Sequence, residues 1–65
     1  MPLDTDKIKA LREKLGWSMQ DAAEKAGLRS RQHWHGIESG STNVTLSTLE
    51  AVASALGVRA KDLLK

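Results

Sequence analysis

The sequence predicts an all-α fold, a compact bundle of five short helices. Apolar residues recur at spacings of three and four, the period of a helix that buries one face. Aspartate, serine or threonine, which accept backbone N–H bonds at helix starts, precede these segments. With 65 residues we expect a single domain over residues 1–65, and its small core favours association into a dimer. Glycines, which end helices in the left-handed conformation, follow the segments at Gly16, Gly27, Gly40 and Gly57.

The first helix is predicted to run from Asp4 or Asp6 to Leu15. Its buried stripe consists of Ile8, Leu11 and Leu15, which are spaced by three and four residues. Trp17 stands just before the next capping residue, where an apolar side chain packs back on the following helix. We therefore expect Trp17 to anchor the core.

The second and third helices form a closely spaced pair. Ser18 and Asp21 have the spacing of a capping box at the start of the second helix, and Gly27 ends it. Ser30 then caps a third helix over about Ser30–Ser39. Two short helices joined by a glycine turn are typical of a helix-turn-helix, whose second helix lies in the DNA major groove. In that helix the apolar residues Trp34 and Ile37 share one face, and we expect Trp34 to lie in the core.

The last part of the chain is predicted to be mostly scaffold. Thr45 caps a fourth helix that ends before Gly57. Leu63 and Leu64 follow in a last turn, as either the lid of the core or the seam of a dimer. The buried stripe of the fourth helix comprises Leu46, Leu49, Val52, Ala53 and Leu56.

Composition excludes several classes of protein. Without cysteine the chain forms no disulfide or thiolate metal site, and without a long apolar run or signal peptide we expect a cytoplasmic protein and no membrane contact. No nucleophile with a paired base and no glycine-rich phosphate loop is present, so we expect no enzyme activity, cofactor or small-molecule ligand. The net charge is only +2, but no acid lies between Glu24 and Glu38. That segment carries Lys25, Arg29, Arg31, His33 and His35, which is the charge distribution of either a solvated helix face or a nucleic-acid interface.

Four motifs in register resemble the Cro and lambda-repressor (XRE-type) helix-turn-helix family. They are Leu11-Arg12, then Ser18 with Ala23 and Gly27, then Ile-Glu-x-Gly at residues 37–40, and finally Leu-Gly-Val at residues 56–58. The resemblance covers almost the whole chain. It implies a lambda-repressor-like DNA-binding domain, which binds double-stranded DNA as a homodimer on an inverted repeat and usually represses transcription.

The resemblance assigns site residues to the third helix and to the segments around it. Arg31, Gln32, His33 and His35 are expected to contact base edges, since arginine pairs with guanine and glutamine with adenine through two hydrogen bonds. The two histidines lie on different helix faces without a third ligand, so we expect no metal. Residues expected to contact phosphates or to position the DNA are Arg12, Ser18, Met19, Gln20, Arg29, Ser30, Ser39, Ser41, Thr42 and Asn43. For Arg12 a structural role is equally open, because in the family this arginine pairs with the glutamate that corresponds to Glu38.

Some residues depart from the family pattern. Met19 replaces the usual glutamine, Ser41 and Thr42 replace a frequent basic pair, and Gly36 lies within the third helix. The glycine either permits a close backbone approach or softens the helix end. One extra residue between Gly27 and Ile37 leaves the register of the third helix open by one position. The alternative hypothesis is therefore a helical interaction module of the same fold that no longer binds DNA. The sequence does not rank the repressor, antitoxin and restriction-control roles. It also does not distinguish a whole protein from a fragment.

Overall fold

The chain folds into four α-helices followed by a 3₁₀ turn, in a computed structural model that describes residues 3–41 and 43–65. The helices are α1 (Thr5–Lys14), α2 (Met19–Lys25), α3 (Arg31–Ser39) and α4 (Leu46–Leu56), and the 3₁₀ turn covers Ala60–Leu63. The all-α fold of five short helical segments is confirmed, with a single 3₁₀ turn as the fifth. In the described residues, no helix is long and apolar enough to span a bilayer.

Each α-helix begins at a side chain that caps it. Ser18 Oγ accepts the Asp21 N–H at 3.0 Å, and Asp21 in turn accepts the Ser18 N–H at 3.1 Å, which completes the predicted capping box. Asp4, Ser30 and Thr45 accept the N–H of the residue three positions later in the same way. The caps are therefore confirmed, and α1 begins at the first of its two candidate aspartates.

Each α-helix also ends as predicted, at a glycine with positive φ. In α3, Gly40 has φ of +77°, its N–H donates to the Ile37 carbonyl at 3.2 Å, and the Ser41 N–H donates to the Gly36 carbonyl at 3.1 Å. This pair of bonds is the Schellman motif, which satisfies carbonyls that the helix itself leaves free. The end of α3 is thus set by backbone geometry, independently of any ligand.

The core consists of buried side chains from all four α-helices and the 3₁₀ turn, with α2 and α3 packed on each other and α1 packed on α3. In α4, Leu49, Val52, Ala53 and Leu56 are buried as predicted, whereas Leu46, expected in the same stripe, is the first residue of the helix and is 61% exposed. Ala22 and Ala23 are at most 1% exposed, so their small side chains let α3 approach α2 closely. Trp34 and Ile37, at 0% and 1% exposure, supply the apolar face of α3 and confirm the predicted core position of Trp34. Leu63 is fully buried as well, so the last turn is a lid of the core.

The end of α1 corrects one prediction. Leu15, expected in the buried stripe, is 46% exposed. It occupies the C-cap position, and the chain reverses at Gly16, so the next residue to pack on the core is Trp17. In the sequence the apolar period continues past the end of α1, whereas the buried face ends where the helix ends.

Candidate nucleic-acid interface

The helix-turn-helix consists of α2, a turn over residues 26–30 and α3. The turn has an ordinary glycine C-terminus at Gly27 and closes with Ser30 as the cap of α3. Arg29 lies in this turn and is exposed. Arg31 is therefore the first helical residue of α3, and this fixes the register that the sequence left open by one position.

One face of α3 is open to solvent. Arg31, Gln32, His35 and Ser39 are all exposed. Successive helical residues are rotated by about 100°, so these four side chains fall within about 100° of one another around the axis. The buried Trp34 and Ile37 project on the other side. The structure thus brings together three of the four predicted base-contacting residues and adds Ser39, which was predicted to contact phosphate.

His33 does not belong to this exposed face. It is half-buried, and it lies about 200° around the helix from Arg31, next to the core residue Ile37. The sequence predicts one polar face because Trp34 and Ile37 share the apolar face and leave the basic and amide residues on or near the other. The helical period separates His33 from the group.

The residues predicted at the start of α2 are split by burial. Met19 packs against the core, while Gln20 is exposed and donates its amide N–H to Glu24 Oε2 at 2.8 Å. The apolar side chain at residue 19 therefore turns inward, and Gln20 is the polar side chain available at this end. The hydroxyl oxygens of Ser18 and Ser30 accept backbone N–H bonds as helix caps.

The segment after α3 forms a small polar cluster. Ser39 Oγ donates to the Gly36 carbonyl at 3.2 Å, and the Ser39 and Ser41 hydroxyls share a hydrogen bond of 2.9 Å. Both serines and Asn43 are exposed. Thr42 lies outside the described residues. Gly36 is buried and therefore lies away from the exposed face of α3.

Arg12 has the structural role of the two that were open. Its Nε and Nη2 atoms donate to Glu38 Oε2 and Oε1 at 2.9 and 3.0 Å, and its Nη1 donates to the Trp17 carbonyl at 2.8 Å. The two charged side chains are only 10% and 6% exposed. All three guanidinium nitrogens are occupied in this way, so Arg12 is not placed as a free cation for phosphate. It instead ties α1, the α1–α2 turn and α3 together.

Trp34 completes this buried polar network. Its indole Nε1 donates to Glu38 Oε2 at 2.6 Å, across one turn of α3. Oε2 thus accepts from both Arg12 and Trp34. The sequence predicts Trp34 only as an apolar core residue, although its spacing of four from Glu38 places the two side chains on neighbouring positions of one helix face.

The network keeps its charges ionised. Burial, the largest single influence, raises the pKa of Glu38, but the hydrogen bonds from Arg12 and Trp34 together with nearby positive charge outweigh it and lower the pKa below its ordinary value of 4.5. The hydrogen bond to Glu38 likewise raises the pKa of Arg12. Within the described part of the chain, every buried side-chain nitrogen and oxygen has a hydrogen-bond partner. The pair is therefore a satisfied structural anchor behind the exposed face of α3.

The described residues contain no group of three or more His, Asp or Glu side chains arranged to hold a metal ion. His33 and His35 differ in burial and lie about 200° apart on α3. The exposed face of α3 therefore presents arginine, amide, imidazole and hydroxyl groups, all of which can form hydrogen bonds.

Comparison with known proteins agrees with this geometry. Residues 6–64 match the family described as the helix-turn-helix domain. The chain is 47% identical over 53 residues, 82% of its length, to the immunity repressor protein of Bacillus phage phi105, and 37% identical over 57 residues, 88% of its length, to a protein of Neisseria meningitidis serogroup B named as a hypothetical transcription factor. It spans 36% and 53% of these two longer relatives. The chain therefore belongs to the helix-turn-helix domain family.

Proposed function

We propose that this chain binds double-stranded DNA in a sequence-specific manner and represses transcription, with α3 in the major groove. The observation that carries the proposal is the exposed face of α3, on which Arg31, Gln32 and His35 project from a helix that is anchored from behind by Trp34 and Glu38. The names of the two relatives, a repressor and a transcription factor, support the same activity.

Arg31 and Gln32 are the principal base-contacting residues in this proposal. Both lie at the start of α3, where a recognition helix projects deepest into the groove. Arginine forms two hydrogen bonds with guanine and glutamine two with adenine, and each such pair discriminates against other bases by about 1–3 kcal/mol. His35 lies one turn further along the same face and contacts an adjacent base pair.

Phosphate contacts then come from both ends of the helix-turn-helix. Gln20 lies at the start of α2, Arg29 in the turn, and Ser39, Ser41 and Asn43 after α3, and all five are exposed. Such contacts set the register of a protein on its duplex and carry no base preference of their own. Because Arg29 and Arg31 are the two arginines of the turn and α3, the electrostatic part of the affinity is small.

We further propose that two copies bind together on an inverted repeat, with half-sites about 34–36 Å apart. A core of this size leaves little stability for one protomer, and Leu15 and Leu46 are the large hydrophobic residues that remain exposed among those described, at 46% and 61%. As a regulator of phage, plasmid or bacterial type, the chain would act in the cytoplasm, where the DNA is. Sedimentation of the chain with and without a duplex determines the oligomeric state.

Selection of bound duplexes from a random-sequence pool at moderate salt tests the proposal. Enrichment of an inverted repeat is the expected result, because the experiment assumes nothing about the operator. Arg31→Ala and Gln32→Ala should each abolish enrichment at one position of the half-site while leaving the fold intact. Arg59→Ala, which removes the same charge from an exposed residue before the 3₁₀ turn, is the matched control and should leave the enriched sequence unchanged.

Retention without enrichment would contradict sequence specificity. No retention even at low salt would contradict DNA binding altogether and would favour the alternative, a helical interaction module of the same fold. Circular dichroism of each variant shows whether a loss of binding comes with a loss of helix.

A further inference from the structure

The indole N–H of Trp34 makes a contact that filling the core does not require. It donates to Glu38 Oε2 at 2.6 Å, and the same oxygen accepts Arg12 Nε at 2.9 Å. One donor lies on α3, four residues before the glutamate, and the other lies on α1. A single carboxylate oxygen is therefore held from its own helix and from the neighbouring helix at once.

This arrangement fixes the carboxylate relative to the α3 backbone. A glutamate side chain has several rotatable bonds. If Arg12 were its only partner, the Glu38 carboxylate could stay bound to the guanidinium while α3 rotated about its own axis. The Trp34 ring is 0% exposed and surrounded by the core, so its N–H cannot move independently of α3. The bond to this fixed donor removes the freedom that the glutamate would otherwise have.

We propose that Trp34 is a positioning residue, whose indole N–H sets the rotation of α3 and thereby the placement of Arg31, Gln32 and His35 against base edges. The inference rests on the proposed DNA binding. Side-chain tips lie about 5–6 Å from a helix axis, so a rotation of about 10° displaces them by about 1 Å. Hydrogen bonds span a range of only about 0.5 Å, so such a rotation is enough to break a two-bond contact with a base.

The test compares affinities for the selected duplex and for an unrelated duplex of the same length. Trp34→Phe removes the N–H and should lower the ratio of the two affinities about tenfold. A tenfold change lies in the lower part of the range of discrimination that one base contact provides. Ile37→Val is the control: it loosens the core face of α3 by one methylene group without touching the polar network. It should leave the ratio unchanged once both variants are corrected for their folded fraction.

Because Trp34→Phe also leaves unfilled volume in the core, a second variant isolates the donor. A chain of 65 residues is accessible to chemical synthesis, so Trp34 can be replaced by β-(3-benzothienyl)alanine, in which sulfur stands in place of the N–H in a ring of nearly the same shape. The same loss of selectivity is expected. The acid unfolding midpoint should also move to higher pH, since Glu38 loses a donor that favours its ionised form, and Ile37→Val should not produce this shift.

The outcomes are distinct. If the unmodified chain prefers its selected duplex and the benzothienyl chain shows the same preference, the positioning role is overturned while DNA binding stands. If the unmodified chain shows no preference for any duplex, the proposed function is overturned and this inference with it. The inference is supported if the ratio of the two affinities falls in both variants at position 34 and stays unchanged in Ile37→Val.

Discussion

Replacing Glu38 with glutamine measures how strongly the domain depends on its buried ion pair. Glutamine keeps the shape of the side chain and one acceptor oxygen, but removes the charge opposite Arg12, whose side chain is only 10% exposed. Removing one partner of a buried pair costs about 3–5 kcal/mol, because the other charge stays buried without compensation. A domain of 65 residues has a total unfolding free energy of about 3–10 kcal/mol. The single substitution should therefore remove a third or more of the stability.

Thermal and urea unfolding followed by circular dichroism provide the assay. A loss of 3 kcal/mol corresponds to a decrease of about 12 °C or more in Tm for a domain of this size. Glu50→Gln, on the exposed surface of α4, makes the same chemical change away from the network and should alter stability by less than about 0.5 kcal/mol. If both substitutions cost the same, the carboxylate of Glu38 is solvated and the reasoning about its burial is wrong.

A double variant separates the charge from the packing. Arg12→Met combined with Glu38→Leu replaces the pair by apolar groups, a change that is often close to neutral for buried ion pairs. Here the Trp34 N–H and the Trp17 carbonyl would lose their partners, at about 1–3 kcal/mol each. The double variant should thus be less stable than the unmodified chain. A fully stable double variant would show that these two groups find water instead.

The same pair predicts how stability changes in acid. The folded-state pKa of Glu38 lies below its ordinary value of 4.5, so the carboxylate stabilises the fold above that pH. This stabilisation is lost as the pH falls below 4.5 and through the folded-state pKa. Urea unfolding at a series of pH values should therefore show a decline in the unmodified chain that is smaller in Glu38→Gln, and equal declines in the two proteins would contradict the assignment to Glu38.

Three other expectations concern the ends of α3 and the charge of the interface. Gly40→Ala should cost about 1–2 kcal/mol, because φ is +77° while the added Cβ meets only Thr5 Cγ2 at an ordinary 3.7 Å, and a cost near zero in urea unfolding would mean that the turn adopts another conformation. Ser30→Ala should cost about 1 kcal/mol by removing the acceptor of the His33 N–H, with Ser54→Ala on the exposed surface of α4 as the control. The affinity for DNA should fall only gently with salt, with a logarithmic slope of about −1 per protomer, because Arg29 is the one cation that the proposal assigns to phosphate, and a steep slope in a salt titration would show that other cations take part.

The predictable part of this fold was local. A capping serine, a capping-box aspartate and a glycine after the last turn act within a few residues of one another, so Ser18, Asp21 and Gly27 could be assigned from their spacing alone. The end of the buried stripe in α1 was predicted wrongly. Leu15 continues the apolar period of α1 but is exposed, since it occupies the C-cap position and the chain reverses at Gly16.

Of the four residues predicted to contact bases, three share the exposed face of the candidate site and one does not. Arg31, Gln32 and His35 share an exposed face as expected, whereas His33 is rotated toward the core side. The helical period already places His33 about 200° from Arg31 and next to the apolar Ile37, so this separation could have been predicted from the sequence of α3. The family resemblance supplied the pairing of Arg12 with Glu38, because residues that are distant in the chain meet only in the folded structure.

Under the proposed DNA binding, the buried network separates the stability of the domain from its base preference. Trp34 and Glu38 hold α3 from the core side, and the groups that would contact DNA project on the other side without bonds to that network. Exposed substitutions away from caps and buried partners change stability by at most about 0.5 kcal/mol, while the loss of one base contact changes discrimination by about 1–3 kcal/mol. Base preference in this fold is therefore free to vary while stability stays nearly constant, provided that the rotation of α3 is held from behind.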